Sequence, residues 1–100
     1  MEQPYTVNQI REIITPIARA HGVGSVSLFG SYASGTADGS SDVDLKIEKG
    51  EVRSLFQLCG LRLAFEDALQ LPVDLVTSES SDRAFLERIG EEEVLLYREA

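Results

Sequence analysis

The chain has 100 residues, 43% hydrophobic and 26% charged, which predicts one globular domain over residues 1–100. Its net charge of −8, from 17 acidic against 9 basic residues, repels polyanions, and no basic cluster interrupts it; long nucleic acid is not an expected partner. No apolar run reaches the ~20 residues of a spanning helix, Met1-Glu2-Gln3-Pro4 does not open a signal peptide, and Cys59 is the single cysteine; a cytoplasmic protein without membrane contact or disulfides is expected.

In chain order, Thr6-Val7-Asn8-Gln9 has the form of a capping box, and Val7, Ile10, Ile14 and Ile17 then recur at helical spacing. A first helix is predicted over Val7–Ala20, kinked or shortened by Pro16. His21-Gly22-Val23-Gly24 closes it, with His21 at the surface. Val26–Phe29 is a short strand running into Gly30-Ser31, followed by a brief helical turn over Tyr32–Gly35 and a polar loop over Thr36–Ser41. Asp42–Glu48 alternates, with Val43, Leu45 and Ile47 on one face and Asp42, Asp44, Lys46 and Glu48 on the other, as in a half-exposed strand. Val52, Leu55, Phe56, Cys59 and Leu63 suggest a second long helix over Val52–Gln70, weakened by Gly60, with Cys59 in the core. Leu71–Val76 reads as a third strand, in which Asp74 projects opposite to Val73 and Leu75. Ser81 or Asp82 caps a last helix carrying Phe85, Leu86 and Ile89. Val94–Tyr97 fits a strand or a helix equally. Glu91-Glu92-Glu93 is a solvated run. The order α-β-β-α-β-α predicts an α+β fold, a small mixed β-sheet covered by helices.

Asp42 and Asp44 follow the pair Gly30-Ser31 after ten intervening residues. On a strand they share one face, where two carboxylates repel unless a cation lies between them, and oxygen ligands suit Mg²⁺. The Gly-Ser turn offers backbone N–H groups and a hydroxyl to phosphate oxygens. Asp74 supplies a third carboxylate that converges on the same face if the strands lie side by side. Metal and phosphate cradle together indicate chemistry on a nucleoside triphosphate.

This set resembles the motifs of the DNA polymerase beta-like nucleotidyltransferase superfamily. The short chain and the phrase Ser41-Asp42-Val43-Asp44-Leu45 look most like its minimal nucleotidyltransferases, the antitoxin partners of HEPN-domain toxins. The resemblance implies the polymerase beta-like fold and two Mg²⁺ ions held by Asp42, Asp44 and Asp74. It further implies that Asp74 helps remove the acceptor's proton, and that Gly30 and Ser31 bind nucleotide phosphate. The implied reaction transfers AMP from ATP to a hydroxyl, a tyrosine in this family, on a cognate HEPN toxin. Many members carry Arg where this chain has Ser34. A hydroxyl cannot supply that charge, and Lys46, on the strand face of Asp44, is the candidate substitute.

Competing readings are weaker. Asp38, Ser40, Asp42 and Asp44 match alternate positions of a calcium loop, but Val43 stands where Gly is needed and Lys49 where Glu is needed. Gly30 and Gly35 have P-loop spacing, yet Thr36 follows in place of Lys. A merely solvated strand face leaves three mutually repelling aspartates unexplained. Ser31 could also cap the turn that follows it, and Tyr32 could either stack on a base or pack. In function, the alternatives to the enzyme are an inactive antitoxin that neutralises its toxin by binding, and a drug-modifying nucleotidyltransferase, against which the absence of room for a second domain argues.

Overall fold

The computed structural model describes residues 4–79 and 82–99, and within them the elements run α1 (Val7–Ala20), β1 (Ser25–Phe29), α2 (Gly30–Ser34), β2 (Val43–Glu48), α3 (Leu55–Leu69), β3 (Val73–Thr77), α4 (Arg83–Glu92) and β4 (Val94–Arg98). The strands form one mixed sheet in the order β3-β2-β1-β4. Neighbours β1 and β2, and β1 and β4, are antiparallel, whereas β2 and β3 are parallel. Parallel strands need a crossover, which α3 supplies.

Thr6 starts α1 as the capping box predicts: its hydroxyl accepts from the Gln9 N–H at 3.1 Å, and Gln9 Oε1 accepts from the Thr6 N–H at 2.8 Å. Pro16 does not shorten the helix, which continues to Ala20. Ile10, Ile14 and Ala18 on α1 and Leu61, Phe65 and Leu69 on α3 form two buried stripes at four-residue spacing. They pack with Val26, Leu28, Val43, Leu45, Ile47 and Val73 in one core. Alternation along β2 therefore turns Asp44, Lys46 and Glu48 to the opposite side of the sheet, as the sequence pattern requires.

Three sequence expectations change. The second long helix begins at Leu55 rather than Val52, because Ser54 caps it by accepting from the Gln57 N–H at 3.1 Å. Its buried stripe is not the expected one: Leu55, Phe56 and Leu63 are 75%, 89% and 56% exposed, and Cys59 is exposed rather than core. Leu and Phe residues occur nearly all round α3, so periodicity alone does not choose the face; packing on α1 and β3 does. The ambiguous tail is a fourth strand, which covers the otherwise open edge of β1. Its register shifts between Val26↔Tyr97 and Ser27↔Leu95, a bulge that leaves Leu96 to turn into the core. Asp82 caps α4 by accepting from the Phe85 N–H at 3.0 Å, while Ser81 lies outside the described residues. No described helix is long and apolar enough to cross a membrane.

Candidate active site

Strands β2 and β3, the loop before β2 and the turn after β1 place the predicted site residues. Asp44 lies opposite Phe29 of β1 on one side and Asp74 of β3 on the other. Cross-strand partners project to the same face, so Asp44 and Asp74 stand side by side on the face away from the core. Asp42 stands at the exposed end of the loop just before β2, not within the strand as the sequence pattern suggests. Gly30 opens α2 with φ +72°, and a Cβ there would run into the Asp44 carboxylate. Glycine thus serves twice at this position, admitting a left-handed backbone and allowing the turn to lie directly against the carboxylate.

The surroundings fix these positions. Asp38 folds the loop before Asp42: its Oδ1 accepts from the Ser40 hydroxyl at 2.7 Å and from the Ser40 N–H at 2.8 Å, and the Ser41 hydroxyl accepts from the Asp38 N–H at 2.9 Å. The bonds from the Ser40 side chain and backbone, joined by those from Ser41, hold the Asp38 carboxyl below the usual carboxylate range, although burial works slightly against them. On the other side, Glu66 of α3 accepts the Val73 N–H at 2.9 Å and receives Arg62 at 3.1 Å. The Val43 N–H donates to the Pro72 carbonyl at 2.9 Å. These bonds anchor the start of β3 and set the register that brings Asp74 beside Asp44.

Asp44 carries the electrostatic signature of the site. Partial burial, then the charges of Asp74 and Asp42, and a hydrogen bond to Asp74 raise its pKa to about 6. Each of these effects disfavours a second negative charge. A hard cation would reverse all of them, and carboxylate oxygens are the donors that Mg²⁺ takes. The donor set therefore fits such an ion. It is not gathered in advance, however: among the described residues no group of three His, Cys, Asp or Glu side chains is placed to hold a metal. Asp44 and Asp74 are adjacent cross-strand partners, and Asp42 lies in the exposed loop before them.

Other candidates have different roles from those expected. The Lys46 ammonium is 2.6 Å from Glu93 of the α4–β4 junction, so it is engaged in an ion pair rather than free to replace a missing arginine. This also draws Glu93 out of the solvated acidic run, of which Glu91 and Glu92 remain exposed. The Ser34 hydroxyl is taken up within its own turn, 3.3 Å from the Ser31 carbonyl and 2.9 Å from the Thr36 hydroxyl. Tyr32 is buried in the core, which settles its alternatives in favour of packing, and burial pushes its phenol pKa up, with smaller contributions from Tyr5 and Asp38. Beside Gly30 the sheet face opens into a cleft of about 470 Å³, lined by Phe29, Phe85, Arg88, Ile89 and the Glu91 and Glu92 carboxylates. Phe85 meets Phe29 edge to face, with ring centroids 6.0 Å apart. Sequence patterning places Phe85 on a helix but gives no sign that this helix folds over the Gly-Ser turn.

Residues 11–100 match the family model described as polymerase beta, nucleotidyltransferase. The chain belongs to this family. The nucleotidyltransferase is 39% identical over 88 residues to a candidate protein adenylyltransferase of Methanocaldococcus jannaschii, an alignment covering 88% of the chain and 95% of the relative. It is 35% identical over 79 residues to protein adenylyltransferase MntA of Thermococcus cleftensis, covering 75% and 80% of the two chains. In fold it is similar to a crystal structure of a toxin–antitoxin with AMP-PNP, with a TM-score of 0.78, 23% identity, and 89% and 73% of the chains covered. The family agrees with the resemblance carried by the Gly-Ser and Asp-x-Asp motifs, and the small mixed sheet with the expectation drawn from the order of elements.

Proposed function

We propose that this nucleotidyltransferase is a single minimal domain over residues 1–100 that acts as a cytoplasmic antitoxin, transferring AMP from ATP to a tyrosine hydroxyl of a HEPN-domain toxin. The observation that carries the reading is the Asp44–Asp74 pair set directly against Gly30, a carboxylate site with a phosphate-accessible turn at its edge. The adenylyltransferase relatives support AMP as the transferred group, and the AMP-PNP-containing toxin–antitoxin supports the nucleotide and the kind of partner.

In this reading Asp42, Asp44 and Asp74 would hold two Mg²⁺ ions, which would supply charge neutralisation for the triphosphate and for the developing charge of an in-line displacement. The chain's own residues do the rest. Gly30 lets the backbone approach the phosphates, and the Ser31 hydroxyl donates to a phosphate oxygen. Asp74 lies on the side of the carboxylate pair away from the Gly-Ser turn. In this reading it faces the incoming acceptor and helps remove the proton from its hydroxyl, at a carboxylate oxygen. The acceptor oxygen attacks the α-phosphorus, the bond to the bridging oxygen breaks, and pyrophosphate leaves.

Intact-mass spectrometry of the co-expressed toxin, incubated with this protein, Mg²⁺ and ATP, tests the reading. One or more added AMP masses, absent with Asp42→Asn/Asp44→Asn, is the expected result. A stable complex without added mass would instead identify an antitoxin that acts by binding alone.

A further inference from the structure

The cleft beside Gly30 lies on the side of Asp44 opposite to Asp74. Across the sheet the order is Asp74 on β3, Asp44 on β2, then Phe29 and Gly30 at the end of β1, with α4 beyond. A nucleotide whose α-phosphate sits at the carboxylates, with its acceptor at Asp74, must run its leaving phosphates the other way. That direction passes Gly30 and Ser31 and enters the cleft between α2 and α4, whose lining includes one cation, Arg88. Arg88 is exposed on α4 and makes no ion pair among the described residues. Lys46 and Arg98, cations on the same sheet face, are each held in an ion pair, by Glu93 and Glu48 respectively.

From this arrangement we propose that Arg88 binds the outer phosphates of the nucleoside triphosphate in the α2–α4 cleft. The inference rests on the nucleotidyl-transfer reading and adds a residue to it. In a chain of net charge −8 a local cation favours the outer phosphates that lie beyond the carboxylate site, and a guanidinium matches phosphate oxygens with two parallel N–H donors. Glu91 and Glu92 line the same cleft and oppose the binding. They thereby favour release of pyrophosphate once the bond to the α-phosphorus has broken. Phe29 and Phe85 form the apolar floor that holds α4 at this distance from the turn.

The test is titration calorimetry of the full chain with Mg²⁺ and AMP-PNP, and separately with AMP, for wild type, Arg88→Gln, Arg88→Lys and Glu91→Gln. Arg88→Gln is expected to weaken AMP-PNP about ten-fold, the scale of one lost charge-assisted contact. AMP binding should be unchanged, Arg88→Lys should recover part of the loss, and Glu91→Gln should tighten AMP-PNP. Because Arg88 is exposed on the helix, the variants should melt like wild type. Equal weakening of both ligands, or of neither, overturns the assignment while leaving nucleotidyl transfer intact. Failure of wild type itself to bind AMP-PNP with Mg²⁺ would overturn both readings.

Discussion

At the residue scale, Asp44 stores an unfavourable charge. Burial and the neighbouring aspartates push its pKa up to about 6, from an ordinary carboxyl value of 3.8. The native state therefore binds more protons than the unfolded chain between about pH 4 and pH 6, and metal-free stability falls as pH rises through that window. The full penalty is present above about pH 6, and solvent screening of this partly exposed carboxyl reduces it below what the shift alone would imply. Asp44→Asn is expected to raise metal-free stability at pH 7 and to change it little at pH 4, as measured by urea unfolding at the two values. An equal effect at both would mean that packing, not charge, is responsible. Gly30 meets the same carboxylate from the other side. Gly30→Ala places a Cβ at positive φ and against Asp44, and is expected to cost about 2 kcal/mol or more. The collision should be partly relieved in the double variant with Asp44→Ala, whereas the backbone strain should persist. Simple additivity of the two single variants would show that no collision occurs.

At the element scale, α3 shows which parts of the fold are legible in sequence. Removing the deeply buried Phe65 as Ala is expected to cost about 3–5 kcal/mol, whereas Phe56→Ser on the exposed face should fall within about 0.5 kcal/mol of wild type by denaturant midpoint. The sequence pattern points the other way, because it counts Phe56, Cys59 and Leu63 as the buried stripe. An apolar helix has no polar face to orient it, so its register against α1 is decided by long-range packing that no local pattern carries. The helix α1 and the strand β2 were legible for the opposite reason: each has a sharply polar side. Caps were also readable where a side chain acts locally, as with Thr6 and Gln9. The strand character of Val94–Arg98 depends on pairing with β1, almost 70 residues away, and could not be read from the tail itself. In the candidate site, the placement of Gly30, Asp44 and Asp74 side by side was legible from residue type, spacing and strand alternation, whereas Asp42 was read onto a strand that begins one residue later. The Lys46–Glu93 pair and the cleft under α4 were not legible, because both depend on where the last helix folds back over the sheet.

At the scale of the whole molecule, the acidic charge and the carboxylate site both call for cations, and their effects must be separated. With a net charge of −8, any salt relieves self-repulsion and should raise the melting temperature somewhat. A bound Mg²⁺ would add stability by mass action, because the unfolded chain does not hold Asp42, Asp44 and Asp74 together. At ten times its dissociation constant the gain is about 1.4 kcal/mol, which in a domain of this length corresponds to roughly 5–10 °C. The comparison is therefore Mg²⁺ against K⁺ at equal ionic strength. The difference should be large at pH 8, where Asp44 is ionised, and should shrink toward pH 5, where the ion must displace a proton. Asp44→Asn should abolish the difference while leaving the general effect of salt in place. If Mg²⁺ and K⁺ raise the melting temperature equally in wild type at pH 8, the carboxylate pair does not hold the metal in the free protein. A residual difference in Asp44→Asn would place the bound ion away from the sheet face that Asp44 shares with Asp74.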